Sequence, residues 1–447
     1  MHSLASYQSD IARAVLDSVQ RHDGASYTIE VARGGGAREL SAWLGSLLLA
    51  SHANAGIHLL KIAAGDLGGP LARLGALLSS GEIGDAWSSD DRTARVGRAE
   101  ARLMHPDELT PALAISPVAL IEVTGAQLLP EAFFEQRLLP IARATGATLV
   151  LYGQPWTGGS WFETQCLRNR AAQDADGVRR HFRVTWETVA AERADYAAEV
   201  ARIRERLGGD HPTFATGFEL RAVGSSVPLF SAALATPGHF SRAREPRPGT
   251  RYVASVAVTR LSLSSGEAFA PSQAVVSIAE QQAGANGTAV ARVVEHRWLR
   301  TMDAAALGRT LRKLLFGNWG CAAVAARLPS NVDPTSEAAL QVAMSPLGFS
   351  GVRVTWAKPE ALEVSRQALE IHAALPTGRL ALYAADGSVE RRALAHELHN
   401  ATLGFRSDGL AEPRLSQGGE GVVDGLLLLS EFLGETVPAR ALLPLAS

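Results

Sequence analysis

The sequence predicts two α/β domains in tandem. The first is an open, mostly parallel sheet with helices on both faces. The second is also α/β, with an antiparallel region at its front. Three observations carry this. Strand-like and helix-like segments alternate through the N-terminal half. A run of three glycines, Gly34, Gly35 and Gly36, separates a β-prone segment from a helical one. The charged, proline-containing stretch "RAREPRPGT" at 242–250 is followed by a restart of the pattern.

In "QSDIARAVLDSVQRH" (8–22), Ile11, Val15, Leu16 and Val19 fall on one helical face. "SYTIEVA" (26–32) predicts a strand, and "RELSAWLGSLLLASH" (38–52) a helix buried over much of its surface. "IHLLKIA" (57–63) is strand-like, with an uneven region after it. "PVALIEVTG" (117–125) and "GATLVLYGQ" (146–154) are short apolar runs of the kind that lie inside a parallel sheet. Between them, "PEAFFEQRLLPIARAT" (130–145) predicts a crossover helix, which completes a βαβ series. Residues 186–207 predict one polar helix rich in Glu and Arg.

After the linker, "RYVASVAVTRLSL" (251–263), "SQAVVSIAEQQ" (272–282) and "TAVARVVEHRWL" (288–299) predict three successive strands. A helix at 304–316, a buried strand at 321–327, helices at 359–374 and 422–433, and a strand at 379–385 complete the second half. The expected domains are therefore 1–241 and 251–447, joined by 242–250.

The chain has 447 residues and is 47% hydrophobic, enough for large buried cores. Its net charge of −2 shows no basic excess of the sort that announces nucleic acid, although a local patch is not excluded. The two cysteines, Cys166 and Cys321, make no disulfide framework and no metal spacing. A reducing cytoplasm is the expected location. The first residues lack the apolar core of a signal peptide, and no apolar run reaches membrane-spanning length. No histidine pair has a zinc-binding spacing, so no metal ligand set is expected.

"VARGGGAREL" (31–40) has the order strand, glycine loop, helix of a phosphate cradle. Gly34, Gly35 and Gly36 can supply the curl of backbone N–H groups. The place of the lysine that meets the β- and γ-phosphates holds Ala37, and the place of the Mg²⁺-binding Ser or Thr holds Arg38. Arg33 and Arg38 are the cations that could replace the lysine in part. A glycine turn that binds nothing is the competing reading. In "VALIEVTGAQ" (118–127), the carboxylates an NTPase needs at the strand end are replaced by Thr124 and Gly125, while Glu122 lies two residues early. A satisfied, buried carboxylate is the plainer reading of Glu122. Asp333, before Pro334, is expected to be a turn residue. Trp156 and Trp161, beside the glycines of "PWTGGSWFE", are expected to pack under that loop.

Together these segments resemble the large terminase subunit of tailed bacteriophages, in which a packaging ATPase precedes a nuclease. "YQSDIARAVL" (7–16), "VARGGGARELSAWL", "ALIEVTGAQ", "LVLYGQPWTGGSWFE" (149–163) and "RLGGDHPTFATGFEL" (206–220) follow the order of its ATPase motifs. "RPGTRYVASVAV" (247–258), "TGRLALYAADG" (377–387) and "GGEGVVDGLLLLSEFL" (418–433) follow that of its nuclease. The resemblance implies a P-loop NTPase-like first domain and a ribonuclease H-like second domain. It also implies that Gln8 contacts adenine. Double-stranded DNA, a portal protein and a small terminase subunit would be its partners, with a ring forming on the portal.

The departures fall on chemistry. The nuclease of that family holds two divalent ions on a carboxylate cluster. Its first-strand acid corresponds to Ala257 and its second to Ala325. The acids that open its last helix correspond to Glu420 and Gly421, with Asp424 one turn on. The lysine, the Mg²⁺ ligands and at least two nuclease acids are replaced by residues without negative charge, while the flanking apolar pattern stays. The expectation is a terminase-like pseudoenzyme, with no cofactor, or with ATP and Mg²⁺ if activity remains. A packaging ATPase that uses Arg33 or Arg38 beside a dead nuclease is the first alternative. A plain interaction module is the second.

Overall fold

A computed structural model of the chain describes residues 4–63, 67–80, 86–115, 117–230, 240–261, 272–283, 289–329, 332–349, 351–357, 360–406, 408–414 and 421–433. The chain divides into two compact units. Of the described residues, one comprises those up to Arg204 and Pro212–Ser225, the other Glu205–His211 and those from Ser226 to Leu433.

In the first unit, helix α1 (Ser6–Arg21) leads to β1 (Ser26–Val31), α2 (Ala37–Ser51) and β2 (His58–Ala63). The uneven region resolves into α3 (Gly68–Ser80) and an antiparallel run, β3 (Trp87–Ser89), β4 (Thr93–Val96) and β5 (Ala99–Met104). Then come β6 (Val118–Thr124) and a helix in three parts: α4 (Glu131–Phe133), a π-helical turn (Phe134–Leu138) and α5 (Leu139–Thr145). β7 (Thr148–Gly153), α6 (Trp161–Asp176) and β8 (His181–Val184) follow. The expected single helix over 186–207 is two helices, α7 (Trp186–Glu192) and α8 (Ala194–Leu207). Arg193 breaks it with extended backbone at φ −136°, and its side chain bonds the glycine loop. α9 (Pro212–Gly217) closes the unit.

The eight strands run in the order β3-β4-β5-β2-β6-β7-β1-β8, parallel from β5 to β8. Both faces are covered. Tyr27, Ile29, Leu120 and Val150 pack with Ile11, Val15, Leu40 and Leu44 of α1 and α2. Ile62, Ile121, Val123 and Leu151 pack with Phe134, Leu138 and Phe162 on the other face. Each of these side chains contributes ~1.5–3 kcal/mol by leaving water. Trp156 and Trp161 are buried as expected; Trp161 stacks on Phe134 with centroids 4.0 Å apart.

The second unit opens with β9 (Ser226–Pro228) and includes the 242–250 segment, where Arg242 pairs with buried Glu295. β10 (Arg251–Arg260), β11 (Ser272–Ala283) and β12 (Ala289–Thr301) form the antiparallel front. After α10 (Ala304–Arg312) and a π-helical turn (Lys313–Asn318), β13 (Ala323–Arg327) joins parallel to β10. α11 (Pro334–Ala343) starts at Asp333, whose carboxylate accepts from Thr335 and Ser336 N–H, so the expected turn residue is a helix cap. β14 (Arg353–Ala357), α12 (Ala361–Ala374), β15 (Leu380–Leu382), α13 (Val389–Asn400), β16 (Thr402–Phe405), β17 (Ala411–Arg414) and α14 (Val422–Leu429) complete it. The main sheet runs β14-β13-β10-β11-β12-β15, and β17-β16-β9 is a small second sheet. Ala254, Val256, Val276, Val294 and Val324 face Leu307, Leu311 and Leu340 of α10 and α11. The opposite face, which carries Ser255 and Ala257, lies under α14. Among the described residues, no helix is long and apolar enough to cross a membrane.

Three histidines of the second unit are held neutral by burial: His211 and His296 are pushed down to about 3, and His372 is lowered. The unfolded chain protonates each below about pH 6.5 while the native fold resists. The stability they favour is therefore present above pH 6.5 and lost as pH falls toward 3. We expect the urea midpoint to drop between about pH 6.5 and about pH 5. His296→Leu should make that drop shallower; an unchanged slope would refute the assignment.

Candidate functional site

The first candidate site is the loop between β1 and α2. Gly34 and Gly36 adopt φ +75° and +82°, in the left-handed region that only glycine enters without cost. Successive carbonyls are then taken in turn. Tyr196 Oη donates to the carbonyl of Arg33 at 2.7 Å, and Arg193 to that of Gly34 at 3.2 Å. Tyr7 Oη donates to Gly35 at 3.0 Å, and Gln8 Nε2 to Gly36 at 2.9 Å. The clasp therefore comes from α1 on one side and the α7–α8 junction on the other. The loop leads into the N-terminus of α2, and its own Arg33 and Gly35 N–H groups are taken by the carbonyls of Gly217 at 2.7 Å and Ala32 at 2.8 Å.

A cavity of about 830 Å³ opens on this loop, well within the range of small-molecule sites. Arg33, Arg38 and Arg193 line it, with Glu39, Glu192 and Glu199, and Tyr7, Tyr196, Phe218, Val200 and Ile203 supply apolar wall. Arg33 lies over the Phe218 ring at 5.8 Å, and burial lowers its guanidinium to about 10, still charged at neutral pH. Ala37 is buried at the first position of α2. Gln8, to which the resemblance gives an adenine contact, has its Oε1 on the Ala5 N–H at 3.0 Å and its Nε2 on the loop.

Thr124 stands at the end of β6, paired with Ala63 and Tyr152, and Gly125 follows at φ +73°. Two residues deeper, Glu122 is buried and satisfied, as its plainer reading had it. Lys61 Nζ on β2 forms a close ion pair with its carboxylate. Ser41 Oγ of α2 donates to it at 3.0 Å, and Tyr152 Oη of β7 at 2.9 Å. Lys61 also donates to the Ser41 carbonyl at 2.9 Å. Burial and the charge of Glu122 hold the Tyr152 phenol well above its ordinary value, so it stays a donor. Mg²⁺ does not fit this end of the sheet. Arg38 and Gly125 offer no side-chain oxygen, and Glu122 already has its cation.

The second candidate site is the α14 face of the other sheet. Register places Ala257 beside Arg327 and Ala325 beside Ser255, so Ala257, Ala325 and Arg327 share one face. Gly421, at φ +83° before α14, lies against Thr259 and 3.9 Å from the Ala257 Cβ, measured from a Cβ built on the glycine. Asp424, one turn on, meets Arg327 Nη1 at 3.5 Å. Arg327 Nη2 donates to Gln367 Oε1 of α12 in a short hydrogen bond. Glu420 lies outside the described residues. The structure places Ala257 and Ala325 on the face under α14, whose Asp424 meets the buried guanidinium of Arg327. A two-metal centre does not fit: two of its acid positions hold methyl groups, and Asp424 faces a cation. Among the described residues no three acidic, His or Cys side chains gather around a metal-sized space.

Sequence reasoning missed Lys61, Arg193, Tyr196, Tyr7, Arg327 and Gln367. Two signals were available. A lysine inside "IHLLKIA" and an arginine ending "CAAVAAR" are charges in apolar strands, which fold only if paired. Arg193 and Tyr196 lie 159 and 163 residues from their loop partners, beyond any local pattern.

Gly36→Ala should destabilise more than Gly158→Ala. Both positions have positive φ, worth ~1–2 kcal/mol against alanine. Only at Gly36 does the added methyl meet a side chain, Gln8 Nε2; Gly158 has open space. Equal losses in denaturant midpoint would show that Gln8 does not hold the loop.

No protein-family model matches the sequence, and no curated protein matches it. Solved structures do match. The large terminase of a thermophilic bacteriophage is 12% identical, with 97% of this chain and 100% of that chain covered at a TM-score of 0.55. The same terminase in complex with ATP-gamma-S gives 13% identity, 96% and 99% coverage and a TM-score of 0.55. Its complex with ADP gives 13%, 96%, 99% and 0.54. The chain has the fold of a phage large terminase, a P-loop NTPase-like sheet followed by a ribonuclease H-like unit.

Proposed function

We propose that the chain is a terminase-like member of the viral DNA-packaging machinery that has kept the fold and given up both chemistries. It acts as a non-catalytic scaffold for double-stranded DNA, the portal protein or the small terminase subunit. Its place of action is the cytoplasm of a bacterial host, encoded by a phage or prophage.

The observation that carries this reading is the pattern of replacement. Ala37, Thr124 and Gly125 in the first unit, and Ala257 and Ala325 in the second, occupy chemical positions with small side chains that remove charge. Around them the glycine loop, the cavity and the packed sheet persist. Hydrolysis of a nucleoside triphosphate depends on electrostatic stabilisation of a transferring phosphoryl group. The glycines remain, but the place of the lysine that meets the γ-phosphate holds Ala37 and that of the Mg²⁺ ligand holds Arg38. Strand cleavage fails for the parallel reason, because two ions need a carboxylate set.

A second reading has one observation in its favour. Arg33 and Arg38 both line the 830 Å³ cavity, so guanidinium groups stand at its wall in place of an ammonium. A packaging ATPase would then remain beside a dead nuclease.

Titration with a fluorescent ATP analogue, with and without Mg²⁺, separates the two. The scaffold reading expects weak binding that Mg²⁺ does not improve and no DNA-stimulated turnover. Turnover that is lost in Arg33→Ala or Arg38→Ala would establish the ATPase instead. Ala37→Lys should tighten the analogue by about tenfold, ~1.4 kcal/mol, by restoring a point charge beside the glycine loop. For the scaffold role, a DNA mobility shift should weaken steeply with salt. Absence of any shift would leave a plain interaction module, and nicking of plasmid in Mn²⁺ would overturn the loss of the nuclease.

A further inference from the structure

The α14 face of the second unit carries more polar construction than a lost active site requires. Arg327 is buried at the end of β13, beside Ala257 and on the same face as Ala325. Its guanidinium meets Asp424 at 3.5 Å and bonds Gln367. Gln367 Nε2 in turn donates to Glu363 and Glu431, each at 3.0 Å. Arg366 reaches the same two carboxylates at 2.6 Å. Two guanidinium groups are thus distributed over three carboxylates.

Coulomb's law decides what this does to a visiting ion. A divalent cation needs two or more uncommitted carboxylate oxygens on the face. A fixed positive charge 3.5 Å from Asp424 repels the ion and takes up the same oxygen. Arg is suited to the part, because it stays protonated even where burial lowers it. With alanine at both strand positions, Asp424 is the carboxylate left to partner buried Arg327, and a guanidinium buried without a partner is a costly state.

We propose that Arg327 is the resident cation of this face: it pairs with Asp424 where a two-metal site would hold divalent ions, and it closes the face to Mg²⁺ and Mn²⁺. This rests on the reading above that the nuclease acids are lost, and it names what replaced the ions.

The test uses the full chain and Mn²⁺ as the probe. Wild type should leave the electron paramagnetic resonance signal of free Mn²⁺ unchanged. It should also melt at the same temperature in EDTA and in millimolar MnCl₂. Arg327→Ala should melt several degrees lower and regain part of the loss in MnCl₂. Arg327→Ala combined with Asp424→Asn should lose that response, and Arg327→Lys should behave as wild type. Binding of Mn²⁺ by wild type that Asp424→Asn abolishes would overturn the proposal, as would an Arg327→Ala protein indifferent to Mn²⁺. If Arg327→Ala does not fold, the wild-type resonance measurement decides alone. A wild type that binds Mn²⁺ at Asp424 yet nicks no plasmid would sink this inference and leave the scaffold reading standing. Nicking would sink both.

Discussion

A carboxylate buried inside a parallel sheet must find a cation, and the first unit is arranged around that requirement. Glu122 lies on β6, in the middle of eight strands, and Lys61 comes from its neighbour β2. Ser41 brings α2 into the same group and Tyr152 brings β7. One charge pair therefore fixes three strands and the helix that carries the glycine loop. Removal of either partner alone leaves an uncompensated buried charge, at a cost of ~3–5 kcal/mol. Replacement of both by apolar residues of similar volume costs far less. The pair accordingly contributes more to which arrangement forms than to how stable it is.

In the second unit the roles are reversed: the buried charge is Arg327 at the end of β13, and its partner Asp424 is a partly exposed carboxylate on α14. In both units an internal basic side chain stands beside a carboxylate of a candidate site. The two solutions are independent: one is an ammonium on a central strand, the other a guanidinium at a strand end. What they share is a division of labour. Small residues preserve the packing, and a cation from the neighbouring strand or helix restores neutrality.

The sheet architecture was legible because it is written in short-range pattern. Apolar runs at 118–124 and 148–153 gave buried parallel strands, and the glycines gave the turn. The region after residue 63 was not legible, since β3 and β4 are only three and four residues long and β5 is built on alanines, which carry little strand signal. The helix break at Arg193 was hidden for a different reason. Its sequence is helical throughout, and tertiary bonds to Gly34 override that preference. The candidate positions Ala37, Thr124, Ala257 and Ala325 could be named from order and spacing. The internal cations could not, because Lys61 and Arg327 acquire meaning only when strand register sets them beside Glu122 and Ala257.

The clasped glycine loop has a consequence for signalling. In a motor, a phosphate-binding loop and its surroundings report occupancy because ligand changes their conformation. Here four side chains hold the loop carbonyls before any ligand arrives. An anion that settles into a cradle already formed has little left to order, so its binding free energy is not spent on rearrangement. A ligand with equal affinity for two conformations shifts neither. The loop is thus tied to α1 on one side and to the α7–α8 junction on the other, so its shape is set by residues far from it in the chain.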